Sequence, residues 1–224
     1  MKFLFVIAFL FLTQLQAQAT TASAPKIFFE YSALYDSNCA NTPERKIEPE
    51  WVREAIDRSP DFSKIWEVSG PVLFGKVFEH FAKGFQRKEI TATLSVCPAS
   101  SYSNPLVLNV TRFLKSYMGS KPVRSDDSFA DLVFHELLHS WLVENVDFPT
   151  PLFDKYKNEE RVVRNHLHLM AMQKFIYTEL NRNDLVLMID RQYSTMLGPA
   201  YPRAWEIVSK IEGYEAFIAE IKKK

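Results

Sequence analysis

Two histidines that lie four residues apart, His135 and His139, have the clearest chemical potential in the chain. On an α-helix this spacing places both imidazoles on one face, one turn apart, where they can bind a single metal ion. Glu136 directly follows the first histidine, so its carboxylate would lie beside the metal and could take a proton from water. The stretch from His135 to His139 therefore predicts two ligands and the general base of a hydrolytic metal site.

The flanking residues predict that this motif lies on a buried helix. Residues 132–141 carry no charge outside the motif and contain neither proline nor glycine. Ser125 offers an N-cap, and Asp126 and Asp127 follow it where acidic side chains complement the helix dipole. Burying two histidines and a glutamate among so many apolar side chains costs free energy unless a partner such as a metal ion compensates that cost.

Residues 132–141 resemble the active-site helix of the zincin metallopeptidases, whose motif is HExxH. The resemblance implies that zinc is the bound ion, that His135 and His139 are ligands, and that Glu136 is the catalytic base. It also implies a zincin-like α+β fold and a peptide or protein substrate that is cleaved by an activated water molecule.

A catalytic zinc takes three protein ligands, so the chain must supply one more. Glu159 follows His139 by 20 positions. The pair Asn158-Glu159 resembles the third-ligand motif of the thermolysin-like gluzincins, although Val163 stands where those enzymes have an aspartate. On this resemblance we predict Glu159 as the third ligand.

His166 is the alternative third ligand, because it shares a helical stripe with Glu159. The two residues are about 10 Å apart along a helix axis, which is too far for both side chains to bind one ion. The choice depends on where the second helix begins. A helix that runs on from Thr150 and Pro151 favours Glu159, whereas a helix that restarts near Asn158 favours His166.

Cleavage of a peptide bond by water also needs a hydrogen-bond donor for the oxyanion that develops. Zincins often take this donor from the region after the third ligand. The resemblance therefore implies Tyr193, Tyr201 or Arg203 as transition-state stabiliser. Nothing in the sequence selects among the three residues.

The amino terminus predicts export. Lys2 precedes an apolar run of about ten residues, which is too short to span a bilayer because a spanning helix needs about 20. Small residues spaced as Ala-x-Ala end at Ala19. Residues 1–19 are therefore predicted to be a cleavable signal peptide, and the product is expected to be secreted or periplasmic without a stable membrane anchor.

The remaining residues, 20–224, are predicted to form a single domain that is large enough for its own core. In an oxidising compartment Cys39 and Cys97 could form a disulfide. The 27 basic residues balance the 27 acidic ones and form no sustained basic patch, so nucleic acid is not an expected partner. The sequence leaves the oligomeric state open.

Hydrophobic periodicity predicts a mixed α+β architecture. A small N-terminal sheet with helices would precede a helical C-terminal half, from residue 126 onward, that carries the metal site. By analogy with zincins, residues 91–96 would be the sheet edge that pairs with an extended substrate. The predicted elements of the first half are strands at 27–34, 90–96 and 106–110 and helices at 50–58 and 72–85.

Two functions of different class are consistent with these features. The first is a secreted or periplasmic zinc metallopeptidase. The second is an exported, non-catalytic zinc-binding or structural protein with a closed site, for instance one built from His135, His139, Glu159 and His166. Glu136 separates the two hypotheses, because a closed site has no use for a general base.

Overall fold

The computed structural model describes residues 23–40, 46–196 and 198–222, except for the side chains of 38–40. The predicted signal peptide, residues 1–19, and the side chain of Cys39 therefore lie outside the described residues. Within the described ranges, none of the helices combines the length and the apolar character that a membrane crossing requires.

A four-stranded sheet forms the β part of a mixed α+β fold. The strands β1, β2 and β4 are parallel, whereas β3 pairs antiparallel with β4 at one end of the sheet. The sheet confirms the three predicted strands and adds β3, which the sequence did not predict. In the order β1-β2-β4-β3, the strands are β1 (Lys26–Tyr31), β2 (Glu89–Ser95), β4 (Leu106–Asn109) and β3 (Tyr102–Ser103).

Helices fill the connection between β1 and β2 and most of the described chain after β4. The predicted α+β class and the predicted helical C-terminal half are confirmed. Between β1 and β2 lie α1 (Ala33–Ala40), α2 (Pro49–Asp57) and α3 (Ser59–Phe81). After β4 follow α4 (Lys115–Met118), α5 (Asp126–Asn145), α6 (Pro151–Lys155), α7 (Arg161–Glu179), α8 (Asn183–Thr195), α9 (Ala200–Glu206) and α10 (Tyr214–Lys222).

The motif lies on α5, which is a central helix of the core. Ser125 caps it as predicted, because its Oγ accepts a hydrogen bond from the backbone N–H of Ser128 at 3.2 Å. The helix contacts α3, α7 and the strands β3 and β4. Phe129, for example, stacks on Phe62 of α3 with their ring centroids 4.4 Å apart. A helix that is apolar around most of its circumference has to be buried, and this places the motif in the interior.

The prediction that residues 91–96 form the substrate edge is wrong, because β2 is an interior strand. It pairs with β1 on one side and with β4 on the other, so its main-chain groups are already bonded. The edge strand next to α5 is β3, where the carbonyl of Ser103 accepts a hydrogen bond from Ser140 Oγ at 3.5 Å. An extended chain added to the sheet beside the motif would pair with β3.

The helix α3 runs from Ser59 through Pro71 without a break, although the sequence predicts a new helix after Gly70-Pro71. Pro71 lacks the N–H that would bond the carbonyl of Glu67. Both residues are exposed, so water can bind that carbonyl instead. Gly70 allows Trp66 to pack against the backbone, since a Cβ at Gly70 would lie 2.6 Å from Trp66 Cε2.

Two glycines of α3 allow a matched test of this packing. We expect Gly70→Ala to lower the free energy of unfolding, because forcing atoms into a packed core costs about 1–3 kcal/mol. Gly75→Ala should raise it by about 0.5–1 kcal/mol, because alanine favours a helix and nothing lies within 4 Å of the added Cβ. Urea unfolding measures both changes, and a Gly70→Ala protein that is more stable than the wild type would contradict the packing of Trp66.

Candidate metal centre

Three imidazole rings, those of His135, His139 and His166, meet between α5 and α7. Their ligand nitrogens all lie within 4.8 Å of one another, which is close enough to hold one metal ion. The ring of His166 lies 4.9 Å from the ring of His139 and 5.3 Å from that of His135, measured between centroids. His135 and His166 are buried, whereas His139 is partly buried and lines a surface cavity.

His166 faces the motif because the second helix is interrupted. The helix α6 starts at Thr150 as predicted, with the Thr150 side chain as N-cap, but it ends at Lys155. A turn follows, and α7 begins at Arg161, which places His166 in its second turn. The Nδ1–H of His166 donates to the carbonyl of Val162 at 2.7 Å. The lone pair of this ring is therefore on Nε2, the atom that remains for a metal.

A chain of buried hydrogen bonds orients the ring of His135. Its Nδ1 lies 2.9 Å from the Tyr193 hydroxyl and 3.2 Å from Gln173 Oε1. Tyr193 donates its own proton to Gln173 Oε1 at 2.6 Å, and Gln173 Nε2 donates to Asp131 Oδ1 at 2.8 Å. Because the tyrosine hydroxyl and the amide oxygen both act as acceptors toward this ring, Nδ1 of His135 carries the proton and Nε2 is left for a metal.

Asp131 is the last residue of this chain of hydrogen bonds, and it lies one helical turn before His135 on α5. Its Oδ1 accepts a second hydrogen bond, from the Tyr177 hydroxyl at 2.6 Å. Burial raises the pKa of Asp131 to about 6, and the hydrogen bonds from Tyr177 and Gln173 limit the rise. The carboxyl is therefore mostly ionised at neutral pH, so it accepts from the Gln173 amide and fixes which way that amide points.

Burial keeps the imidazoles neutral, and the neutral form is the one that binds metals. Burial, together with the neighbouring His166, lowers the pKa of His139 to about 3. It also holds the pKa of His135 well below its usual value and lowers the pKa of His166. Three neutral imidazole nitrogens suit a divalent ion of intermediate softness, a group that includes zinc, copper, iron and nickel.

Glu136 directly follows His135 on α5 and is buried, with 7% of its surface exposed. Its carboxyl group forms no hydrogen bond and no ion pair with the residues that the structure describes. Burial raises the pKa of Glu136 to about 8. This carboxyl group is therefore mostly protonated at neutral pH, and the positive charge of a bound metal ion would favour its ionised form.

Tyr201 is the one of the three predicted oxyanion donors whose hydroxyl is free at the site. Its ring lies 4.5 Å from the ring of His166, centroid to centroid. Burial, and then the charge of Glu136, raise the pKa of Tyr201 to about 12, so the hydroxyl stays protonated. It bonds to no other residue in the described part of the chain. Tyr193 also reaches the centre, but its hydroxyl is engaged in orienting His135.

The prediction of Glu159 as third ligand is corrected to His166. Glu159 lies in the turn before α7, where its Oε1 accepts hydrogen bonds from Arg203 Nη2 at 2.8 Å and from Arg203 Nε at 3.0 Å. Arg203 also pairs with Glu206 at 2.8 Å. These ion pairs hold the two side chains together, and Glu159 is not part of the group of side chains that could hold a metal ion. The role of Arg203 as an oxyanion donor stays a prediction.

Cys97 is buried and disulfide-bonded. The side chain of Cys39 lies outside the described residues, so the pairing of Cys39 with Cys97 stays a prediction. A disulfide is typical of proteins that fold in an oxidising compartment.

The sequence did not single out Asp131 and Gln173, which the structure brings to the metal centre. Their signal is in the spacing, because Asp131 lies four residues before His135 and Gln173 lies seven residues after His166. Each polar side chain therefore shares a helix face with a ligand. Polar groups on buried faces need partners, and these two residues bond to each other.

Comparisons of the chain with protein-family models, with curated proteins and with solved structures find no match.

The third ligand can be identified by metal content. We expect His166→Ala to reduce the metal bound per purified chain to a small fraction of the wild-type value, because it removes one of the three nitrogens. Glu159→Ala is the matched control and should retain the metal, since its carboxylate is bonded to Arg203. Elemental analysis measures the metal content of both variants, and circular dichroism checks that they fold. Loss of the metal in Glu159→Ala together with its retention in His166→Ala would contradict the assignment of His166.

Proposed function

We propose that this chain is a zinc-dependent metallopeptidase with a zincin-like fold. The observation that carries the proposal is a set of three neutral histidines, the first of which is followed directly by a residue with an unpaired, buried carboxyl group. His135, His139 and His166 would hold the ion. Three protein ligands are the number that a catalytic zinc takes, because the fourth position has to stay open.

Zinc, when bound, would polarise the scissile carbonyl and lower the pKa of water at neutral pH. Glu136 is the group that accepts the proton of the attacking water. It then returns this proton to the leaving nitrogen. Its burial excludes the bulk water that would otherwise compete for the carboxylate.

Tyr201 is the proposed stabiliser of the developing oxyanion. Its hydroxyl is protonated at neutral pH, has no partner among the described residues and belongs to a ring that packs on His166. A donor that is held in place before the reaction stabilises the transition state more than the ground state. Tyr193, in contrast, acts through His135 and is a positioning residue.

A peptide is the proposed substrate because one edge of the sheet lies beside the motif. The strand β3 is the end strand of the sheet, and it contacts α5. An extended peptide could add to this edge through main-chain hydrogen bonds, which do not depend on its sequence. A strand edge that runs next to the active-site helix is also the arrangement that a zincin-like fold implies.

We further propose that the protein is exported to an oxidising compartment, either secreted or periplasmic. The predicted signal peptide at residues 1–19 motivates this proposal, and the disulfide-bonded state of Cys97 supports it.

The ion pair of Glu159 weighs against the second hypothesis, a closed structural zinc site. That hypothesis needs a fourth ligand, and Glu159 is bonded to Arg203 instead. Among the described residues, the group that can hold a metal consists of the three histidines alone.

Replacement of the general base separates an enzyme from a metal carrier. We expect Glu136→Gln to keep its zinc and to lose peptide hydrolysis by at least about 100-fold in kcat, the usual size of a general acid–base contribution. Glu159→Gln is the control, expected to retain both zinc and turnover. The assays are zinc stoichiometry and cleavage of a mixed peptide library. Full activity in Glu136→Gln would rule out the proposed mechanism.

Removal of one hydroxyl tests the oxyanion donor. We expect Tyr201→Phe to lower kcat by about 100- to 1,000-fold with little change in zinc content, because one transition-state hydrogen bond is lost. Tyr117→Phe, on α4 and packed against Trp51, should behave as the wild type. Steady-state kinetics on one cleaved peptide decide between the two outcomes, and an unchanged kcat in Tyr201→Phe would remove this residue from the mechanism.

A further inference from the structure

A cavity of about 410 Å³ opens beside the metal centre, and His139 forms part of its wall. This volume falls in the range of small-molecule and side-chain pockets, about 300–1,000 Å³. Part of the lining is apolar and comes from Leu142 and Val143 of α5 and from Phe148 and Phe153 of the segment after it. A group bound here would lie next to the ligand His139.

Arg164 brings a positive charge into the wall of this cavity. Its Nε is buried and has no hydrogen-bond partner in the described part of the chain. The guanidinium lies over the ring of Phe153, at 5.1 Å from the ring centroid. Arg164 as a whole is only partly buried, but its buried Nε–H lacks a hydrogen bond that an acceptor supplied by a ligand could provide.

The surrounding charges also favour an anion. Arg87 lies exposed at the cavity and forms no ion pair with the described residues. Glu144 is the one acidic residue in the described lining, and its Oε2 already accepts a hydrogen bond from the backbone N–H of Gln86 at 2.9 Å. Arg164 is also in the first turn of α7, where the helix dipole favours negative charge.

We propose that this cavity binds a carboxylate of the substrate, close to the scissile bond, through Arg164. The proposal rests on the proposed function, because it assigns specificity to the same active site. The guanidinium fork matches a carboxylate with two parallel hydrogen bonds, and the apolar wall fits the aliphatic stem that carries the carboxylate. The carboxylate can come from an acidic side chain or from the carboxyl terminus of a short peptide.

Binding to the full chain with Glu136→Gln, loaded with zinc, tests the pocket without hydrolysis. The probes are blocked alanine peptides, acetylated and amidated, with one central glutamate, glutamine or lysine, and a glutamine peptide with a free carboxyl terminus. We expect the glutamate peptide, the free-terminus peptide or both to bind roughly 10- to 100-fold more tightly than the blocked glutamine peptide in calorimetry. The arm that shows this preference identifies the source of the carboxylate.

Two arginine variants of α7 assign the preference to the cavity. In the Glu136→Gln background, Arg164→Gln should bring the affinity of the carboxylate-bearing peptide down to that of the blocked glutamine peptide, because the charged partner is lost. Adding Arg161→Gln, which changes an exposed arginine of the same helix outside the cavity, should leave the preference as it was. Equal binding of all blocked and free peptides, a lysine preference or a carboxylate preference that survives Arg164→Gln would each overturn the proposal.

The pocket and the proposed function can fail separately. If the wild type hydrolyses peptides without any preference for a carboxylate, the proposed carboxylate pocket is wrong and the proposed peptidase activity stands. If the chain cleaves no peptide of the library but binds carboxylates selectively through Arg164, the proposed pocket stands and the proposed peptidase activity is wrong.

Discussion

The antiparallel packing of α7 against α5 is the constraint on which the metal centre depends. His166 lies beside His135 and His139, and further along α7 the side chains of Gln173 and Tyr177 reach back to Asp131. A shift of α7 by one turn would separate the third imidazole from the pair and leave a carboxylate without donors in the core. The cost of burying unbonded polar groups therefore favours the same register that assembles the three ligands.

The polar groups of the interior divide into those that are bonded and those that are left free. Asp131 bonds to Gln173, and Gln173 and Tyr193 bond to each other and to His135, so this chain of hydrogen bonds holds the His135 ring in one tautomer. The Glu136 carboxyl and the Tyr201 hydroxyl interact electrostatically, and neither has a hydrogen-bond partner among the described residues. A structural metal site gains nothing from two such unbonded groups, whereas a hydrolytic site uses one as base and the other as donor. The same reasoning applies to Arg164, whose Nε also lacks a partner among the described residues and is proposed to bond to a ligand.

The sequence predicts the two histidines of the motif better than it predicts the third residue that joins them. The HExxH spacing and the Ser125 cap are local features, so the helix and the placement of its two histidines on one face could be predicted. The Thr150 start of a helix was also correct, but nothing local indicates that α6 ends at Lys155 and that α7 restarts at Arg161. That interruption decides between Glu159 and His166. The partner of Glu159, Arg203, lies 44 residues away in sequence, and contacts of this kind arise only from the tertiary fold.

X-ray absorption spectroscopy of the purified chain tests the central claim most directly, because it counts the atoms around the metal. The account predicts one zinc ion per chain, with three imidazole nitrogens at about 2.0–2.1 Å, one further oxygen and no sulfur. A chain without stoichiometric zinc, or a zinc ion with fewer than three imidazoles in its first coordination sphere, would contradict the site built by α5 and α7.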